Sequence, residues 1–179
     1  MGKAIGMIEF SSIARGIEAC DGMVKAAQVE ILKASTICPG KYVVILAGNT
    51  GDVEASMNRG LEIAAEALVD SLKISNIHDQ LIPAISMTNQ VEHPGAVGVI
   101  EFYSVASAIL AADIAAKAAN VTLIEVKTGY AIGGKGVVVM TGDVGAVRAA
   151  VQAATQNSEL LVGTTVIPRP APKLLQSLL

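Results

Sequence analysis

The segment that begins at Ala4, AIGMIEFSSIARGIEACDGMVKAAQVEI, returns from Ala96 as AVGVIEFYSVASAILAADIAAKAANVTL, at a constant offset of 92 residues. Further along, GKYVVILAGNTGDVEA from Gly40 matches GKGVVVMTGDVGAVRA from Gly134 at an offset of 94, so the second copy carries two extra residues just before Gly134. Self-similarity over this length indicates a duplicated structural unit. The sequence therefore predicts two tandem copies of one domain.

Each copy predicts the order strand, helix, strand, strand, helix, strand. Ser12 and Ser104 stand at N-cap positions before Ala-rich helices, and Asn49 and Asp143 stand before the second helices. The predicted strands span 5–10, 29–34, 43–46 and 69–77 in the first copy and 97–102, 121–126, 137–140 and 160–167 in the second. We expect an α+β fold of two tandem βαββαβ, ferredoxin-like domains, with helices packed on mainly antiparallel sheets.

The predicted domain boundaries follow from a stretch that loses periodicity and ends in Pro94-Gly95. We expect a first domain over 1–88, a second over 95–179 and a linker at about 86–95. The last nine residues, APKLLQSLL, have helical Leu spacing, and we expect this segment to pack on its own domain.

Composition excludes several classes of protein. Of the 179 residues, 52% are hydrophobic, yet no run approaches the ~20 apolar residues of a membrane span. A net charge of −3 and only five aromatic residues argue against nucleic-acid binding. Charged residues make up 16%, below the roughly 25% usual for globular domains, which favours an oligomer. The N-terminus does not resemble a secretory signal, so we expect a cytosolic protein with reduced thiols.

Catalytic motifs are weak. The segment 129–135 fits a phosphate-binding loop in spacing, but Gly136 stands where a magnesium-binding Ser or Thr is needed. His78 and His93 are the only histidines, and no Ser or Cys lies in a nucleophile motif. Glu9 and Glu101 occupy equivalent positions, which duplication alone explains. We do not expect an enzyme.

Cys38 is the residue with the most distinctive setting. It lies in the sequence Ser-Thr-Ile-Cys-Pro-Gly between two predicted strands of the first copy, where Pro and Gly hold the thiol away from a core. One thiol cannot hold a metal centre, but three subunits meeting at an axis would bring three thiolates to one point. From the residues alone, a merely exposed or loosely packed thiol is favoured over a cluster ligand. Cys20, on the first helix, is interpreted as a small core residue.

Several motifs, in fixed order in both copies, resemble the bacterial microcompartment shell domain. They are IGMIEF and VGVIEF, the helix ends with Asp21 and Lys25 or Asp113 and Lys117, the Gly-Lys strand starts, the GDVGAV helix start at Gly142, and VIPRP at 166–170. With two unpermuted domains and the TICPG sequence in the first, the chain is most similar to the tandem-domain trimeric type, the iron–sulfur trimers of propanediol-utilisation microcompartments.

The resemblance implies a structural shell protein, a pseudohexameric homotrimer that tiles into the shell of a microcompartment in the bacterial cytoplasm together with other shell proteins. It implies a [4Fe–4S] cluster held at the three-fold pore by Cys38 of each subunit, for electron transfer or cluster supply across the shell, with encapsulated redox enzymes as further partners. It implies a tile edge formed by Lys25, Lys117 and Arg169. The first copy departs from it, because it reads Ile77-His78-Asp79 where the second reads Ile167-Pro168-Arg169. The pore-loop positions are Ser35, Thr36, Ile37, Pro39, Gly40, Thr128, Gly129, Tyr130, Gly133 and Gly134.

Two alternatives stay open at this point. The first is a cluster-free tile whose central pore conducts small metabolites. The second is a tandem ligand-sensing regulatory protein, because such modules also repeat βαββαβ units. The encapsulated pathway is not encoded in any motif of the sequence.

Overall fold

The computed structural model describes residues 3–156 and 158–179, and the chain divides into two compact units. The first unit ends at Ile77 and the second begins at His78. Among the described residues, no helix combines the length and the apolar character that a bilayer crossing requires.

The first unit is a four-stranded antiparallel sheet with two helices packed on one face. Its elements are β1 (Lys3–Phe10), α1 (Ile13–Ala26), β2 (Val29–Ile37), β3 (Lys41–Asn49), α2 (Thr50–Ala64), a 3₁₀ turn (Ala65–Ala67) and β4 (Leu68–Ile74). The strand order is β2-β3-β1-β4, with β1 antiparallel to both of its neighbours.

The second unit repeats this arrangement between two additional helices. Its elements are α3 (Leu81–Ile85), β5 (Ala96–Phe102), α4 (Val105–Ala118), β6 (Val121–Thr128), β7 (Gly136–Gly142), α5 (Val144–Thr155), β8 (Leu161–Ile167) and α6 (Pro172–Leu178). The strand order, β6-β7-β5-β8, is the same as in the first unit. The predicted βαββαβ order is confirmed in both copies.

The first helix of each copy begins at the predicted cap. The hydroxyl of Ser12 accepts a hydrogen bond from the Arg15 amide at 3.3 Å, and that of Ser104 accepts one from the Ser107 amide at 3.1 Å. Asn49 and Asp143 also occupy N-cap positions, but neither side chain makes a capping hydrogen bond. The predicted N-cap positions are therefore confirmed for all four helices, and the side-chain capping bond forms at the two serines.

Close packing of strand on helix explains one of the repeated glycines. A Cβ at Gly98 would lie 2.7 Å from Val147 Cγ1 of α5, and a Cβ at the equivalent Gly6 would lie 2.7 Å from Met57 Sδ of α2. Only glycine lets the central strand approach the helix this closely.

The structural boundary between the units differs from the predicted one. The side chain of Gln80 accepts from the Leu123 amide at 2.7 Å and donates to the Val121 carbonyl at 3.1 Å, both in β6. α3 follows directly and packs on β6 and α4. Residues 78–88, which the sequence assigned to the first domain, therefore pack on the second unit, because Gln80 pairs with β6 backbone groups.

The C-terminal helix α6 covers part of the second sheet on the face opposite α5. Gly98 faces α5, so its neighbour Val97 points to the other face. There Leu175 and Leu178 of α6 pack against a cluster of Val97, Ile124 and Val139. This agrees with the expectation that the segment packs on its own domain.

Candidate functional site

The β2–β3 turn that carries Cys38 is short. β2 ends at Ile37 and β3 begins at Lys41, so the turn comprises Cys38, Pro39 and Gly40, with a cis bond between Cys38 and Pro39. The Gly40 amide donates to the Ile37 carbonyl at 3.0 Å. Gly40 has a φ of +93°, which favours glycine, and open space surrounds the position of its missing Cβ.

The first pore loop predicted from the sequence, over residues 35–40, is therefore longer than the turn in the structure. Ser35, Thr36 and Ile37 lie in β2, where they pair with Val43, Tyr42 and Lys41 of β3. Ile37 is buried, and the Ser35 hydroxyl is buried without a hydrogen-bond partner in the described part of the chain. The β-branched Thr and Ile extend the strand up to the turn.

The equivalent β6–β7 loop of the second unit is longer and contains no cysteine. Thr128, the last residue of β6, is buried, and the loop runs over 129–135. Tyr130 projects from it with 70% of its surface exposed. Gly129, Gly133 and Gly134 all have positive φ angles, of 84°, 68° and 78°. The two residues inserted in the second copy thus lengthen a loop whose conformation depends on glycine.

Cys38 has the chemistry of a cluster ligand but not a complete site. Its thiol is partly exposed and forms no disulfide. Within the described residues, no group of three or more His, Cys, Asp or Glu side chains is placed to hold a metal ion. Thiolates are the usual ligands of iron–sulfur clusters, so Cys38 fits as one ligand per chain. Any cluster here needs thiolates from further chains.

Cys20 differs from Cys38 in its surroundings. It is partly buried on α1 and packs against the core of the first unit. Burial raises the pKa of the Cys20 thiol, and the nearby carboxylate of Asp21 raises it further. The interpretation of Cys20 as a packing residue agrees with this position.

Sequence interpretation missed an ion pair that recurs beside both turns. Lys41, the first residue of β3, pairs with Glu9 of β1, and Lys135, just before β7, pairs with Glu101 of β5 at 2.8 Å. The Glu9 side chain is only 3% exposed. The carboxylate of Glu101 raises the pKa of Lys135. The signal was present, because all four residues recur at equivalent positions in the two copies.

The predicted edge residues lie on the surface in different settings. Lys25 forms an exposed ion pair with Asp21 at 2.6 Å, whereas Lys117 pairs at 2.5 Å with Asp113, whose side chain is 4% exposed. Arg169 is exposed just beyond β8. His78 donates its backbone amide to Asp113 Oδ1 at 2.7 Å. By strand register the position of the first copy that matches Arg169 is Asn76, because Ile74 and Ile167 pair with equivalent positions of β1 and β5. The two predicted edges therefore differ chemically.

One helix face is exposed in the first copy and buried in the second. Ile17 on α1 is 55% exposed, while the equivalent Ile109 on α4 is fully buried within the chain. The same contrast holds along the whole stripe: Ile13, Ile17 and Val24 are exposed, and Val105, Ile109 and Ala116 are buried. We refer to Ile13, Ile17 and Val24 as the α1 stripe. An apolar stripe of this kind is typical of a protein interface.

Comparison with known proteins agrees with the duplicated fold. The BMC domain family matches residues 4–77 and 96–170. The chain is 47% identical to the bacterial microcompartment shell protein PduT of Citrobacter freundii over 95% of this chain and 94% of that protein. It is 36% identical to the carboxysome shell protein CsoS1 of Prochlorococcus marinus over half of this chain and 89% of the relative. A microcompartment protein from Desulfitobacterium hafniense has a crystal structure with a TM-score of 0.93 and 43% identity, covering 97% of this chain and 98% of that one.

The chain belongs to the bacterial microcompartment shell proteins. It is a structural shell protein of the tandem-domain, pseudohexameric type, and the family is structural rather than catalytic. The resemblance, the fold class and the location in a microcompartment shell are thereby confirmed. Assembly with other microcompartment shell proteins follows from the same family.

Proposed function

We propose that three copies of the chain form a pseudohexameric shell tile whose central axis holds one [4Fe–4S] cluster through Cys38 of each subunit. When bound, the cluster supplies one-electron redox chemistry or serves as a store for transfer across the shell. The observation that carries the proposal is the position of Cys38, a free and partly exposed thiol at the tip of a three-residue turn. The 47% identity to PduT over nearly the whole chain places it within a tandem-domain shell family.

The trimer is supported by the unequal burial of the duplicated helices. Val105 and Ile109 of α4 are fully buried inside one chain, while their equivalents Ile13 and Ile17 of α1 are exposed. If the duplicated domains alternate around a ring, the next chain can cover the exposed apolar residues of α1. Three two-domain chains complete a six-domain ring.

In this tile the two kinds of turn alternate around the pore. The turn of Cys38, Pro39 and Gly40 carries the ligands, with Ser35, Thr36 and Ile37 behind it in β2. The longer loop of the second unit, from Thr128 through Gly129, Tyr130, Gly133 and Gly134, lines the positions in between. Lys25, Lys117 and Arg169 lie at the outer edge and contact neighbouring tiles. Encapsulated redox enzymes are the expected exchange partners.

Three thiolates leave one iron of a cubane without a cysteine ligand from the tile. Described residues of the chain hold no second cysteine at the turn, since Cys20 lies on α1. The fourth iron is therefore open to water or to a ligand from a partner, a feature suited to cluster transfer as well as to electron transfer.

The test is anaerobic purification of the wild-type protein and the Cys38→Ser variant, followed by iron and sulfide assay and EPR before and after dithionite. The proposal predicts about four irons per three chains in the wild type. The variant is expected to lose the iron and keep the trimer, because the turn contributes little to the core. Iron-free wild-type protein after anaerobic reconstitution would instead support the cluster-free tile with a metabolite pore.

A further inference from the structure

The ion pair between Glu9 and Lys41 lies directly beside the turn that carries Cys38. Lys41 is the first residue of β3 and pairs in the sheet with Ile37, the residue before Cys38. The three turn residues are thus enclosed between Ile37, which is buried, and Lys41, whose ammonium group is bound to Glu9 of the central strand β1. Fixing Lys41 fixes one end of the turn.

We propose that Glu9 and Lys41 form a positioning pair that holds the turn in the conformation that presents the Cys38 thiol toward the cluster. This inference rests on the proposed function and goes beyond it by assigning a role to two residues that are not ligands. Neither residue contacts a reacting group in the described structure.

Burial makes this ion pair costly to separate. The Glu9 side chain is 3% exposed and that of Lys41 is 23% exposed. A carboxylate removed from water is stable as an anion only with a nearby cation or hydrogen-bond donors. Movement of Lys41 away from β1 would leave the Glu9 charge without its cation, so the start of β3 is tied to the sheet centre. The pair therefore restricts the turn more than an exposed ion pair would.

The second copy contains a natural control. Lys135 and Glu101 form the equivalent pair, but their side chains are 36% and 35% exposed, and the adjoining loop has seven residues and no cysteine. Lys135 also lies 6.0 Å from the centre of the Tyr103 ring. The second copy thus has the same kind of ion pair beside a loop without a thiol, and there the pair is exposed to solvent.

The experiment uses full-length trimer in a Cys20→Ala background, because the second copy has Ala112 at that position and Cys38 then becomes the only thiol. The variants are Lys41→Met, Glu9→Gln and the charge-preserving Lys41→Arg, with Lys135→Met and Glu101→Gln as matched controls. The first readout is the alkylation rate of Cys38 by iodoacetamide in metal-free protein. The second is iron content, EPR line shape and midpoint potential after anaerobic reconstitution with iron and sulfide.

We expect Lys41→Met to raise the alkylation rate by roughly tenfold, because the buried Glu9 carboxylate loses its cation and the local structure opens. Glu9→Gln is expected to raise the rate in the same direction, because Lys41 loses the anion that holds it to β1. Both are expected to lower iron content and broaden the EPR signal, while Lys41→Arg and the two second-copy controls stay close to the parent. If Lys41→Met does not fold, Glu9→Gln alone carries the test, because it removes the charge and keeps the shape.

Unchanged alkylation and iron content in Lys41→Met and Glu9→Gln would overturn the positioning role. The positioning role would also be overturned if the midpoint potentials of these two variants shifted in opposite directions while the alkylation rate stayed the same. That pattern would indicate only the charge of each group. Failure of the proposed function is distinguishable, because wild-type protein without a cluster still gives the alkylation comparison. An equal effect of Lys135→Met on Cys38 would also contradict the proposal.

Discussion

At the scale of single residues, Cys38 and the repeated glycines show two different constraints on this chain. Cys38 is held at a turn by Gly40, whose φ of +93° favours glycine, whereas Gly98 is required by the Val147 side chain that packs over it. The first constraint concerns presentation of a thiol and the second concerns packing density. Substitutions at these positions therefore have different consequences.

Gly98→Ala is expected to destabilise the protein by about 1–3 kcal/mol, because the added Cβ would lie 2.7 Å from Val147 Cγ1 and force overpacking. The matched control is Gly145→Ala on α5, where no atom lies within 4 Å of the added Cβ. That change is expected to stabilise the helix by about 0.5–1 kcal/mol. Urea unfolding of both variants is the measurement, and a Gly98→Ala variant as stable as the wild type would contradict this account of the packing.

The two thiols are expected to respond differently to pH. Burial and Asp21 raise the pKa of Cys20, so this thiol stays neutral at pH values where an ordinary cysteine begins to ionise. In a Cys38→Ser background, alkylation of Cys20 should be slow at neutral pH and rise only on the alkaline side of the usual thiol range. Because its folded pKa is raised, its contribution to stability is present below the unfolded-state pKa and is lost as pH rises. A normal thiol titration in the folded protein would show that Cys20 is not buried as described.

The position of a residue could be predicted from the sequence where adjacent residues determine it. Cys38 at a turn was predictable because Pro39 and Gly40 follow it directly. The Glu9–Lys41 pair had only the indirect signal of recurring in both copies, because it joins residues 32 apart through the register of β1 on β3. That register depends on the pairing of whole strands, which a turn motif does not encode.

At the scale of elements, the duplicated helices α1 and α4 are the most informative comparison. They share length and an N-cap serine, yet only α4 buries its apolar stripe within the chain. Strand and helix order was predictable from the period of the apolar residues. The different burial of the two helices has a partial signal in the sequence, because α4 has Ser107, Leu110 and Ile114 where α1 has Arg15, Glu18 and Gly22.

Ile17→Glu tests the α1 stripe. Ile17 is 55% exposed in the single chain, so a carboxylate there costs little in the monomer but is buried without a partner in the proposed trimer. We expect the variant to remain folded and to sediment as a monomer in analytical ultracentrifugation.

The control for this experiment is Ile17→Val, which preserves apolar contact and should remain trimeric. A stable Ile17→Glu trimer would mean that the α1 stripe lies outside the subunit interface.

At the scale of the whole molecule, the two copies present unlike edges, so a trimeric tile has two alternating kinds of edge contact. Arg169 is exposed just beyond β8, and the first copy has Asn76 at the equivalent position. A hexamer of identical domains would lack this alternation. The trimer is proposed from the family resemblance, because a single chain has no contact between subunits.

Lys25→Ala is expected to weaken sheet formation without changing stability. The Lys25–Asp21 pair is exposed on both sides, so its loss costs the fold about 0–1 kcal/mol. Lys117→Ala should both weaken sheets and lower the unfolding free energy by about 1–3 kcal/mol, because it removes the cation beside the buried Asp113 carboxylate. Electron microscopy of sheets together with thermal unfolding separates these effects. Normal sheets from the Lys25→Ala variant would remove this residue from the tile edge.

Native mass spectrometry of anaerobically purified protein can decide whether three chains share one cluster. We expect a trimer whose mass exceeds three polypeptides by that of one [4Fe–4S] unit, and a Cys38→Ser trimer with no added mass. A wild-type trimer at the bare polypeptide mass after reconstitution, or a cluster bound to single chains, would contradict it.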